Sequence, residues 1–308
     1  MKGKLGSIYF LMALLGLSLL EVAPAATISI QVITTFDYPG ATQTYPFAIN
    51  DQNEIAGFFY VSGEALSAGF TRTADGQLSE PIVHPNDTHN VTDAFGINNL
   101  GVVCGYFFGV DGFHGFLFSD GAYSQYDVPG SSGTVLRGIN DAGDLAGYYF
   151  AQGDVQKGFT SVGGVVTTIN IPGGAGVDAH QLNSANQVVG SYADENSGVG
   201  YGFYSTRRGA LKFPITVPGA TSTYLYGIND NGWMVGEYYN QPGRILLRHG
   251  LLFIPPNQFV TFDYADSRDV ALTGINRKGF ICGYYFEGGV VHGLLARARR
   301  TAEGASDK

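Results

Sequence analysis

Short runs of β-branched and aromatic residues, each bounded by a glycine-bearing turn, fill the chain from residue 28 to residue 297. One block shows the pattern plainly. Residues 136–140 and 144–149 flank Asp141-Ala142-Gly143, and residues 158–161 and 165–171 flank Gly163-Gly164. Two or three turn-forming residues between β-rich runs mark a tight hairpin, so the block predicts four short antiparallel strands. The second turn recurs as Asp75-Gly76, Asp120-Gly121 and Arg208-Gly209 in other blocks.

The block is written six times. Its centre is an Asn phrase: Ala48-Ile49-Asn50, Gly96-Ile97-Asn98, Gly138-Ile139-Asn140, Gln181-Leu182-Asn183, Gly227-Ile228-Asn229 and Gly274-Ile275-Asn276. Seven residues after each Asn stands a glycine: Gly57, Gly105, Gly147, Gly190, Gly236 and Gly283. An x-Gly-Phe/Leu triplet follows, at Gly69, Gly115, Gly158, Gly202, Gly250 and Gly293. Ahead of the phrase lie Pro39, Pro85, Pro129, Pro172 and Pro218, with Ala265 in the sixth slot. Four strands per unit and a step of 42 to 48 residues match the period of a β-propeller blade. The last unit has no fourth strand of its own, and the chain offers a lone one at residues 28–37 with nothing before it. The expected fold is therefore all-β, a six-bladed β-propeller closed by pairing the N-terminal strand with the C-terminal blade. An open β-array would need capping repeats at its ends.

Residues 1–26 read as a signal peptide: Lys2 and Lys4, an apolar run over 8–20, then Ala23-Pro24-Ala25 as a small-residue cleavage site. The propeller is expected over 27–297 and a polar tail over 298–308. The mature protein is expected to be secreted (extracellular or periplasmic), monomeric and without a membrane span. A formal charge of −9 over 308 residues argues against nucleic acid, whose phosphates require a basic face. Two cysteines do not make a disulfide scaffold.

The repeat resembles the extracellular family named for its His-Ala-Phe tripeptide, found in exported bacterial proteins. The resemblance covers about residues 30–297 and rests on the Gly-Ile-Asn phrase, the glycine seven later and the x-Gly-Phe strand. This chain departs from the namesake, reading His114-Gly115-Phe116, His249-Gly250-Leu251 and His292-Gly293-Leu294, with Ala68, Lys157 and Tyr201 replacing the His elsewhere. The resemblance implies export and repeat architecture, and carries no mechanism.

Most repeated residues read as structural. Each Asn opens a tight turn in which its side chain can bond the backbone. The aromatic runs after the seventh-place glycine suit packing, with the last ring of each run the better ligand candidate. His114, His249 and His292 begin the third strand, two spacings of about 4.8 Å from the innermost one, so they cannot meet. The same holds for Asp37, Asp127 and Asp263, and no metal or cofactor is expected. Cys104 and Cys282 share one small buried slot in non-adjacent units, which argues against a disulfide between them.

Only the innermost strand lets side chains of different units converge. Three residues before each Asn stand Phe47, Phe95, Arg137, His180, Tyr226 and Thr273; five before stand Tyr45, Asp93, Val135, Asp178, Tyr224 and Ala271. The ionisable residues that break the repeat here make Asp93, Arg137, Asp178, His180 and Tyr226 the candidate ligand-binding set. The expected role is a binding or interaction scaffold, for a glycan or a cell-envelope component. The alternative is an extracellular hydrolase or lyase working at the channel mouth with His180, Asp178 and Arg137. Against it, no nucleophile motif or zinc-ligand spacing is present.

Overall fold

The computed structural model describes residues 27–61, 67–241, 247–264, 267 and 269–301. The expected signal peptide (1–26), Ala265 and most of the expected tail (302–308) lie outside the described residues. All described regular structure is β. A first strand, β1 (Thr27–Phe36), precedes the first Asn phrase. The first repeat then forms β2 (Ala41–Ile49), β3 (Ile55–Val61) and β4 (Ser67–Arg72). The second forms β5 (Thr92–Ile97), β6 (Val103–Gly109), β7 (Gly112–Ser119) and β8 (Ala122–Tyr126). The third forms β9 (Gly133–Ile139), β10 (Leu145–Ala151), β11 (Val155–Val162) and β12 (Val165–Thr168). The fourth forms β13 (Gly174–Leu182), β14 (Val188–Asp194), β15 (Gly200–Ser205) and β16 (Leu211–Ile215). The fifth forms β17 (Ser222–Ile228), β18 (Met234–Asn240), β19 (Leu247–Ile254) and β20 (Gln258–Phe262). The sixth forms β21 (Val270–Ile275), β22 (Phe280–Glu287) and β23 (Val290–Thr301).

Repeats two to five are four-stranded antiparallel sheets with strands in chain order. In the sixth, β23 pairs antiparallel with β1, from Thr27 opposite Thr301 to Phe36 opposite Gly293. β23 thus runs four residues past the expected boundary at 297, because β1 supplies partners for those residues. The first repeat departs from expectation. Its fourth strand is reduced to bridges from Gly69 to Ile82 and from Arg72 to Leu78, and Pro81, with no N–H to donate, interrupts the ladder between them. A parallel bridge from Gln43 to Val291 links this repeat to the sixth.

The x-Gly-Phe/Leu triplet anchors the core. Phe70, Phe116, Phe159, Phe203, Leu251 and Leu294 are all fully buried between sheets. The glycine before each lets the next repeat approach: a Cβ on Gly202 would lie 2.8 Å from Leu225, and one on Gly293 would lie 2.9 Å from Pro46.

Each Asn does more than open its turn. Asn50 Oδ1 accepts the N–H groups of Gln52 and Glu54, and the other five Asn repeat this bond pair. Turn chemistry was the expectation. The structure adds a second role: each Nδ2 donates to the main-chain carbonyl of the Asn in the next repeat, at 2.8–3.3 Å, and Asn276 donates to Asn50.

Candidate functional site

The six innermost strands, β2, β5, β9, β13, β17 and β21, all carry a register shift against the second strand of their repeat just before the Asn phrase, and β2 and β13 carry a further one near their starts. In every case the unpaired extra residue is the one three before the Asn: Phe47, Phe95, Arg137, His180, Tyr226 or Thr273. A β-bulge re-aims its extra side chain, and here all six converge on one small cavity. The bulge also explains the seventh-place glycine, which lies opposite it. A Cβ there would fall 1.9–2.2 Å from a carbonyl oxygen of the innermost strand in all six repeats.

These six residues form a floor between the innermost strands. The space among them is about 10 Å³, room for about one water. Beyond it, towards the strand starts, opens a cup of about 270 Å³. Its wall takes Asp178, Ser191, Tyr224 and Tyr284, and its floor Phe47, Arg137, His180 and Tyr226. Four of the five expected ligand-binding residues therefore meet. The fifth, Asp93, is buried behind Tyr106, whose hydroxyl donates to Asp93 Oδ2 at 2.9 Å.

Arg137 lies over the rings of Phe95 (4.1 Å) and Tyr148 (5.4 Å), and its Nη2 donates to Asp178 Oδ2 at 3.1 Å. His180 Nε2 lies 3.1 Å from Ser191 Oγ and 3.7 Å from Asp178 Oδ2, and its ring packs edge-on to Tyr226. Burial, aided by the Arg137 charge, pushes the His180 imidazole down to about 4. Burial lifts the Asp93 carboxyl to about 6. The residue types of a nucleophilic triad are thus present, but Ser191 and Asp178 both face the same ring nitrogen. A triad requires them on opposite nitrogens, so that one orients the imidazole while the other loses its proton.

A second buried charge cluster stands behind the cup. Glu237 accepts from Tyr226 and from Tyr239, the latter at 3.0 Å, and lies 3.5 Å from Arg248 Nη1. Arg248 also pairs with Asp269 and donates to the Tyr284 hydroxyl at 3.1 Å. Burial raises the Glu237 carboxyl. Sequence reasoning missed Ser191, Glu237 and Tyr284, which share the slot eight after the Asn. Phe58, Tyr106 and Tyr148 fill that slot in the other repeats, so Ser191 and Glu237 break an aromatic series. The cup takes Tyr284, the first ring of its run rather than the last, because this slot lies directly opposite the residue five before the Asn.

The three His of the x-Gly-Phe/Leu position each meet an Asp. His114, His249 and His292 pair through Nδ1 with Asp127, Asp263 and Asp37, at 3.0, 2.6 and 3.0 Å. Cys104 and Cys282 are buried free thiols. Among the described residues no helix is long and apolar enough to cross a membrane.

No family model and no curated protein sequence matches the chain. Solved structures do. The putative TolB of Agrobacterium tumefaciens superposes with a TM-score of 0.55 at 13% identity, over 90% of this chain and 100% of its own. AofleA of Arthrobotrys oligospora gives 0.51 at 11% identity, over 91% and 94%. TolB of Acinetobacter baumannii gives 0.50 at 9% identity over 83% of this chain, which spans 64% of that protein's length. At these identities the likeness concerns the fold alone: an all-β, propeller-like architecture.

Proposed function

We propose that the chain is a closed six-bladed β-propeller, exported from the cytoplasm, that binds a glycan or another cell-envelope component in the channel-mouth cup. Six repeats, the β1–β23 pairing, the contact of Gly293 with Pro46 and the return of the Asn cycle to Asn50 support ring closure. The N-terminal Lys-apolar-Ala pattern and the resemblance to the His-Ala-Phe repeat family support export.

The observation that carries the binding reading is the floor of bulge residues. The fold aims six side chains at one place, and that is where the repeat abandons its consensus for Arg137, His180 and Tyr226. A structural plug would be satisfied by aromatic residues of the Phe47 and Phe95 kind. Hydrolase or lyase chemistry has less support, since His180 is a weak base and shares one nitrogen between Ser191 and Asp178.

A glycan array probed with the purified protein tests this reading. Binding to a defined set of glycans is expected, and it should disappear in the Arg137→Ala/His180→Ala double variant while the melting transition persists. Binding unchanged in that variant would remove the cup as the site. Turnover of a glycan by wild type but not by the variant would make the protein an enzyme.

A further inference from the structure

We infer that the cup receives an uncharged sugar ring, the terminal residue of a neutral glycan. This rests on the binding reading above and narrows its ligand class.

The first observation is charge. Asp178 holds the Arg137 guanidinium at 3.1 Å, and Glu237 and Asp269 hold that of Arg248. His180, buried beside Arg137, stays uncharged at neutral pH. Among the described residues each cation at or behind the cup is already charge-compensated by a carboxylate, so a ligand carboxylate or sulfate would meet no net positive charge and would face Asp178 in the wall. A cationic ligand likewise meets no net negative charge, because Arg137 lines the pocket beside Asp178.

The second observation is a pair of incomplete polar groups. Arg137 Nε and Asp178 Oδ1 are shielded from bulk water and have no hydrogen-bond partner within the protein. One needs an acceptor and the other a donor. A hydroxyl is both, so neighbouring hydroxyls on a sugar ring would complete the pair once a small shift of the two side chains uncovers atoms that the empty cup leaves covered. A quaternary ammonium group would complete neither.

The third is the surface. Phe47, Tyr224, Tyr226 and Tyr284 present aromatic carbon to the same space as Ser191 and Asp178, which suits a ring with one C–H face and a hydroxyl edge. At about 270 Å³ the cup falls below the roughly 300–1,000 Å³ of drug-sized pockets, a size for one ring.

Calorimetric titration of the intact protein with matched methyl glycosides and uronates (glucoside and glucuronate, galactoside and galacturonate), and with sialic acid, tests the inference. At least one neutral glycoside should bind, with its uronate at least tenfold weaker. Asp178→Asn should weaken the neutral sugar about tenfold and narrow the gap to the uronate. If Asp178→Asn lowers the melting temperature sharply, Ser191→Ala reads the same wall and should also weaken the neutral sugar. A uronate or sialic acid bound as tightly as the neutral sugars would overturn the charge argument and leave the glycan reading standing. If no sugar of either kind binds and the glycan array is also blank, both readings fall together.

Discussion

The main-chain carbonyl of Asn50 accepts a 2.8 Å hydrogen bond from Nδ2 of Asn276, 226 residues later in the chain. Asn229 makes the same bond to Asn276 at 3.0 Å, between neighbouring repeats. In a closed ring the two are equivalent. Asn276→Ala and Asn229→Ala should therefore cost similar amounts, about 2–4 kcal/mol each, since either strands two turn N–H groups and a carbonyl. Urea unfolding of both variants checks this. A clearly smaller cost for Asn276→Ala would mean that its bond is not part of a closed ring.

Two glycines four residues apart in the second repeat, Gly101 and Gly105, should respond differently to alanine. A Cβ on Gly105 would sit 1.9 Å from the Asp93 carbonyl oxygen, across the bulge that aims Phe95. Gly101 has φ +78° and open space around it. Gly101→Ala should cost about 1–2 kcal/mol, the left-handed backbone penalty. Gly105→Ala should cost about 3 kcal/mol or more, as overpacking against backbone does at its upper end. Thermal melts of the two variants rank them.

Asp93 and His180 should nearly hide each other's pH dependence. Asp93 is raised to about 6 by burial, so the stability it contributes is full below its ordinary value near 3.9 and is lost as pH rises through about 6. His180 is depressed to about 4, so its contribution is full above about 6.5 and is lost as pH falls through about 4. Each effect is worth about 3 kcal/mol, over nearly the same window and with opposite sign. Asp93→Asn should then be more stable than wild type at pH 8 and lose that advantage towards pH 4. His180→Gln should instead gain relative to wild type as the solution is acidified. Denaturant titrations from pH 4 to 8 on three proteins measure this, and parallel curves for all three would contradict it.

Deleting residues 27–36 should destabilise the fold by roughly 3–6 kcal/mol, from four partly buried side chains, Ile28, Ile30, Val32 and Phe36, at about half the value of full burial each. The deletion also bares the outer edge of β23, a template for pairing with other chains. Light scattering alongside the melt should show self-association that the full chain lacks. A deleted protein with unchanged melting would mean that β1 is an appendage.

Much of the frame could be read from residue types, because turns and close approaches demand them. Glycine and asparagine recur where the backbone leaves no choice, and x-Gly-Phe announces a buried ring. The Asn cycle was not legible: periodicity says that six turns are alike, not that each reaches the next. The bulges were hidden as well, since their only written trace is the glycine across the ladder from them. Arg137, Asp178, His180 and Tyr226 were found because they break a repeat at positions close to the axis. Glu237 and Ser191 carried the same kind of signal in an adjacent slot, where the flanking tyrosines masked it. Arg248 could not be located by such reasoning. It stands on the third strand of its repeat, β19, and reaches inward over the Tyr284 ring only through the length of its side chain.

The bulges have a consequence for how such a protein can change. Each floor residue stands outside the ladder pairing that holds its strand, so replacing Phe47, Arg137, His180 or Tyr226, the four that face the cup, changes its lining without re-registering the sheet. The frame and the lining of the cup are encoded by different positions of the same strand. Four sites can therefore vary one at a time on an unaltered scaffold, and a new lining needs no new fold.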